Sequence, residues 1–229
     1  DLQQAIGKPD LGVPYWDWIK DPTFPAFPGG DGKPDKAYEV TDGPFTRDTW
    51  TFNVVDGPGA PTFLQRRFGF GDLDNAGSPV QMKLPEVAAQ DNALRVRWYD
   101  ASPWDATSPT ASSFREGAEV DLHNRVHRWV GGFWVSGGAL TVGTMMHRTS
   151  PNDPVFWLHH CNLDRMWSAW QALHPNSAAY LPIGGAAQGH NRGDTLEFGH
   201  PMPWMEMYAP AMVIDTRAIG VEYDTLQQL

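Results

Sequence analysis

The chain has 229 residues, 41 % of them hydrophobic and 19 % charged, with a net charge of −10 and one cysteine. That length can bury a core as one large domain or two small ones. The acidic balance leaves no basic stripe for a nucleic acid, and the only Lys/Arg dipeptide is Arg66-Arg67. One cysteine excludes an internal disulfide framework and any multi-cysteine zinc site, and it is silent on compartment, so cytoplasmic and secreted locations both stand open.

The first six residues, DLQQAI, read as the last turns of a helix that Gly7 stops. Six residues do not hold a helix in water, which points to an earlier part that is missing or lies on another chain. GVPYWDW, residues 12 to 18, alternates in period two and suits an extended segment with Tyr15 and its neighbours partly buried. From 21 to 115, proline and glycine interrupt nearly every apolar run, and 23 Gly with 20 Pro in the whole chain predict extensive irregular structure. FPAFPGGDGKPD and VVDGPGAP read as loops, TRDTWTFNVV and ALRVRWYD as short strands. There is no internal repeat and no linker, so a single domain over 1–229 is expected.

FREGAEVDLHNRVHRWV places Leu122, Val126 and Val130 at four-residue intervals on one helical face. Residues 129 to 146 are uncharged, but five are glycines, so a Gly-rich loop or strand pair is expected there and not a membrane span. A second helix is predicted from Asn152 or Asp153 as cap, through Pro154 in the first turn, to about Leu173 before His174-Pro175. The last fifty residues are again irregular, with a strand at AMVIDT.

Eight histidines stand at 123, 127, 147, 159, 160, 174, 190 and 200, and none precedes them. His123 and His127 form an H-x-x-x-H pair, whose side chains share one helical face about 5–6 Å apart, a spacing that suits two imidazoles on one ion. Asn124 occupies the position where a zinc protease needs glutamate, which argues against that hydrolase class. A third ligand must come from elsewhere, and His159 or His160 on the second helix can supply it. Imidazole-only sites suit copper, zinc or iron. Asp164, one turn beyond His160, can support a ligand from behind and favours His160 over His159. Cys161 is expected to pack as a small apolar group, as are the methionines at 145, 146, 202, 205 and 207, while His174, His190 and His200 read as surface residues.

HNRVHRWVGG followed by SPNDPVFWLHHCNLDRMW resembles the second copper-binding half of the tyrosinase family of type-3 dicopper proteins, in its bacterial form. PYWDW, DGPF, YDASPW and SFR fit the same resemblance, which spans nearly the whole chain. It implies a mainly α fold: a tyrosinase-like helical-bundle core presenting the copper ligands, wrapped by Pro/Gly-rich loops and a few short strands. It implies His123, His127 and His160 as the ligands of one copper, CuB, with His159 behind them. The other copper, CuA, needs three histidines upstream of PYWDW, where this chain has none. The expectation is therefore an N-terminally truncated copper domain, with CuA on a second polypeptide or a cleaved N-terminal fragment.

The resemblance also implies the chemistry. With O2 such proteins oxidise catechols or o-aminophenols to quinones or quinone imines, and some hydroxylate monophenols. Asn124 with Glu119, or with Glu116 as the other candidate, would hold a water that deprotonates the phenol. His147 would stand over the substrate pocket, Arg128 would steer an acidic substrate, and Phe156 would pack against the site. A hemocyanin-like O2 carrier and a non-catalytic copper-binding half-chain are the competing readings.

Overall fold

The computed structural model describes residues 2–52, 54–104, 113–175, 182, 184–195 and 208–226. The chain divides into two compact units, residues 1–84 with 126–162 and residues 85–125 with 163–229. It is mainly helical, with short strands, as the sequence predicts.

The first unit opens on the short helix α1 (Leu2–Ile6), closed at Gly7 with φ +66°. The segment after it is extended, and its alternation buries Trp16 and Trp18 while leaving Tyr15 half-buried. The long stretch from 20 to 71 is held by scattered backbone bonds. Val40 N–H donates to Leu64 O at 2.9 Å, Phe52 to Thr62 O at 2.9 Å and Arg66 to Tyr38 O at 3.0 Å. Val40, Phe52 and Leu64 form a small core there, with Phe45 against it. A two-residue ribbon pairs β1 (Asp72–Leu73) with β2 (Pro79–Val80). TRDTWTFNVV turns over residues 47–49 and is otherwise irregular in its described residues, not a strand. Its neighbours on both sides are Pro/Gly loops that offer no second strand, and its Phe52 packs instead into the cluster with Val40 and Leu64.

The glycine-rich stretch resolves into a hairpin, β3 (Phe133–Ser136) against β4 (Ala139–Val142), turned by Gly137 and Gly138 at φ +57° and +82°. Two successive positive φ values match the right-handed twist of the strands, which is why two glycines serve there. Gly132 (φ +68°) is a closer constraint, since a Cβ there would meet Arg67 O at 2.1 Å.

The second unit contains α2 (Val87–Arg95), α3 (Phe114–Gly117) and a π-helical run over Ala118–His123. α4 (Asn124–Gly131) continues the π run into the first unit, and α5 (Pro154–Leu173) leads back out of it. Ser113 caps α3, accepting from Glu116 N–H at 3.1 Å. Gly117 lets α3 approach α2 closely, because a Cβ there would stand 3.1 Å from that of Ala93. Phe114 stacks on Trp170 at 5.1 Å, and Trp170 Nε1 donates to Val96 O at 2.6 Å. The predicted face of Leu122, Val126 and Val130 is buried at 0 % exposure throughout.

Two more strand expectations fail. ALRVRWYD begins inside α2, where Ala93 and Leu94 are buried on the face of a helix already under way. The first three residues of AMVIDT belong to α6 (Pro210–Val213), whose Pro210 presets a helical φ against the β preference of Val213. His174 is not a plain surface residue: its Nε2 lies 2.7 Å from Leu94 O and its ring 5.5 Å from Trp170. His190 is exposed, and His200 lies outside the described residues, as do Met202, Met205 and Met207. No described helix is long and apolar enough to cross a membrane.

Candidate metal centre

α5 begins where a buried ion pair fixes it. Asp153, fully buried, accepts from Val155 N–H at 3.0 Å and so caps the helix. Arg66, also fully buried, grips the same carboxylate at both ends, Nε to Oδ2 at 2.8 Å and Nη2 to Oδ1 at 2.6 Å. Its third nitrogen, Nη1, donates to Pro28 O and Gly29 O at 3.0 and 2.8 Å. The sequence marks Asp153 as a cap, but nothing in it ties residue 66 to residue 153.

Two turns into α5 come His159 and His160, facing His127 on α4. The ring nitrogens of His127, His159 and His160 offer ligand atoms within 4.8 Å of one another. His127 Nδ1 lies 2.5 Å from Met145 O. The carbonyl can only accept, so the proton sits on Nδ1 and the Nε2 lone pair faces outward. That Nε2 stands 3.4 Å from His160 Nε2. Two nitrogens each about 2.0–2.1 Å from one tetrahedral ion stand roughly 3.3–3.4 Å apart, so the pair is spaced for a shared metal. The donor set therefore fits a metal that accepts neutral imidazoles, copper among them.

The remaining residues frame these rings. Phe156 stacks on His160 at 3.9 Å and meets His127 edge-on at 5.8 Å. His159 is fully buried, 4.8 Å from the Trp18 ring and 5.1 Å from His127. His123 precedes His127 by one turn, at the junction of the π run and α4. Glu119 Oε2 approaches His123 Nδ1 at 3.3 Å, without the alignment of a full hydrogen bond. In the π run Asn124 N–H donates to Glu119 O. An α-helix splays residues five apart by about 140°. The wider π turn brings Glu119 and Asn124 towards one face, and such turns recur at functional sites. Glu116 sits at the start of α3 instead.

Three other candidates have partners of their own. Arg128 donates from Nε to Gly71 O at 2.7 Å and from Nη2 to Asp72 Oδ1 at 2.8 Å, tying α4 to β1. His147 Nδ1 lies 2.8 Å from Asp56 Oδ2, in a small pocket that includes Phe52, Phe63 and Thr144. Asp164 accepts a hydrogen bond from Tyr223 O–H.

The common central domain of tyrosinase matches residues 1–173 of the chain. The chain belongs to the tyrosinase family. The tyrosinase of Streptomyces antibioticus is 37 % identical over 95 % of this chain and 73 % of that protein. The Streptomyces galbus tyrosinase is 38 % identical over 90 % of this chain and 68 % of that protein. Among solved structures, an Aspergillus oryzae pro-tyrosinase aligns over 93 % of this chain and 49 % of its own, with a TM-score of 0.46 and 20 % identity. Membership of the bacterial tyrosinase type makes this a copper-dependent oxidoreductase that oxidises phenols with O2. The histidine cluster of α4 and α5 is compatible with that metal.

Proposed function

We propose that His123, His127 and His160 hold one copper ion of a tyrosinase-type phenol oxidase. The observation that carries this assignment is the pair of Nε2 atoms of His127 and His160 at 3.4 Å, with His127 oriented by the Met145 carbonyl. Copper, when bound, supplies the electron transfer that couples phenol oxidation to O2. The chain's own residues orient the ligands and handle protons. Phe156 holds the His160 ring in place by stacking, and His159 fills the space behind the ligands against Trp18. Glu119 favours the His123 tautomer that carries its proton on Nδ1, leaving Nε2 for the metal.

Glu119 and Asn124, linked through the π turn, are the pair that positions a water to take the phenol proton. Glu119 suits this role better than Glu116, which lies a further turn away. A two-copper centre requires three more histidine ligands, and residues 1–122 contain none. On this reading the second copper is held by a second polypeptide or a cleaved N-terminal fragment.

The test is copper counting by mass spectrometry on single variants. His123→Ala, His127→Ala and His160→Ala each lose the copper that the parent chain binds, while His159→Phe keeps it. Retention by His160→Ala with loss by His159→Phe would transfer the ligand role to His159. Copper binding unchanged in all four would remove the site from this cluster.

A further inference from the structure

In the first unit, on the side chains of the β3 hairpin and the 34–38 turn, lies an open groove of about 570 Å³. That is within the range of small-molecule sites, about 300–1,000 Å³. Pro34 and Pro79 line it together with Tyr38, Arg67, Trp134 and Val135. The rings of Pro34, Pro79, Tyr38 and Trp134 offer flat surfaces to a ligand, and Arg67 offers one cation.

The walls are held by unusual backbone. Ala37 and Tyr38 both sit at positive φ, 53° and 60°, a region that side chains other than glycine enter rarely. This conformation sets the Tyr38 ring 4.9 Å from the buried Trp134, tilted by 41°. The Arg67 guanidinium lies 3.8 Å over Phe70 and 5.1 Å from the Tyr38 ring. Its Nη1 donates to Phe133 O at 2.6 Å, which fixes its plane. A guanidinium has five N–H donors, so an oriented fork remains for a ligand oxygen pair.

The strand adds a backbone donor. Phe133 N–H donates to Phe70 O, away from β4, and alternate residues of a strand point their amides the same way. Val135 N–H therefore lies on that same outer edge of β3. Asp31 is close enough to Arg67 to interact with it electrostatically. Its Oδ1 already accepts from Gly32 and Phe68 N–H, both at 2.9 Å.

We propose that this groove binds a flat aromatic carboxylate, the ring between Pro34 and Pro79 against Tyr38 and the carboxylate on the Arg67 fork. On a chain of net charge −10, Arg67 is what makes an anion welcome at this place. The site is separate from the copper ligands, and the proposal does not depend on how many coppers the protein holds.

The probe is 2-naphthoate, titrated calorimetrically into the full 229-residue chain with and without copper. One saturable site is expected, of equal affinity in both preparations. Val135 is 61 % exposed, so changes there leave the fold intact. Val135→Glu weakens binding about tenfold and Val135→Lys tightens it severalfold, as a rim charge near a fixed guanidinium requires. Asp31→Asn, which keeps an acceptor for both amides, also tightens it. The uncharged 2-naphthamide binds at least about tenfold more weakly. Equal affinity in both Val135 variants, equal binding of naphthamide, or binding that vanishes with copper would each overturn the proposal. Failure of the copper assignment would show instead in metal content, which the Val135 variants leave unchanged.

Discussion

Arg66→Met is the most informative single change in the ligand scaffold. It removes a guanidinium that makes two bonds to Asp153 and two short ones to the Pro28 and Gly29 carbonyls, all at zero side-chain exposure. What remains is a buried carboxylate whose other bond is to Val155 N–H. Breaking a buried pair by removing one partner costs about 3–5 kcal/mol, most of it the unpaired charge left behind. For a chain of this size each kcal/mol lowers Tm by about 2–4 °C, so a drop of roughly 6–20 °C is expected. Arg66→Lys should recover little, since an ammonium cannot reproduce the two-point grip. Thermal melts followed by tryptophan fluorescence supply the numbers, and the double variant Arg66→Met/Asp153→Leu supplies the control. With the carboxylate gone as well, the double variant should be less destabilised than the sum of its parts by about 2–3 kcal/mol. Strict additivity, or a loss below about 1 kcal/mol in Arg66→Met, would refute the claim that this pair anchors α5.

If Glu119 and Asn124 hold the water proposed above, Glu119→Gln and Asn124→Asp should slow monophenol turnover more than catechol turnover; equal losses on both substrates would reject the assignment. Gly132→Ala forces a left-handed backbone on alanine and drives its Cβ into Arg67 O, so urea titration should show a loss of at least about 1–3 kcal/mol. Trp170→Ala, at a fully buried position that also bonds Val96 O, should cost about 3–5 kcal/mol in the same assay.

The parts of the fold that the sequence announces are those governed by local rules. The four-residue spacing of Leu122, Val126 and Val130 specifies a helix with one buried face, and the structure buries all three completely. Asp153 and Pro154 mark the start of α5, and His174-Pro175 marks its end, because caps and prolines act within a turn of their own position. The hairpin announces itself through Gly137-Gly138. The strand expectations fail for a related reason. A β-rich run becomes a strand only beside a partner, and neither ALRVRWYD nor AMVIDT has one among the described residues.

The proposed ligand residues are equally legible, since an H-x-x-x-H pair and an HH dipeptide carry their spacing in the chain itself. Their orientation is not. Which nitrogen of His127 carries the proton depends on the carbonyl of Met145, eighteen residues away. The π turn that swings Glu119 towards Asn124 has no signature in the residue pattern, because its cost is met by packing and not by propensity. Arg66 is the clearest case: in sequence it is half of an unremarkable basic dipeptide. Its neighbour Arg67 turns to an open groove, while Arg66 goes to zero exposure against a carboxylate 87 residues on. Sequence determined which side chains are present and which helices carry them. The tertiary structure decided which charges are desolvated and which lone pairs converge, because both depend on neighbours brought together from distant parts of the chain.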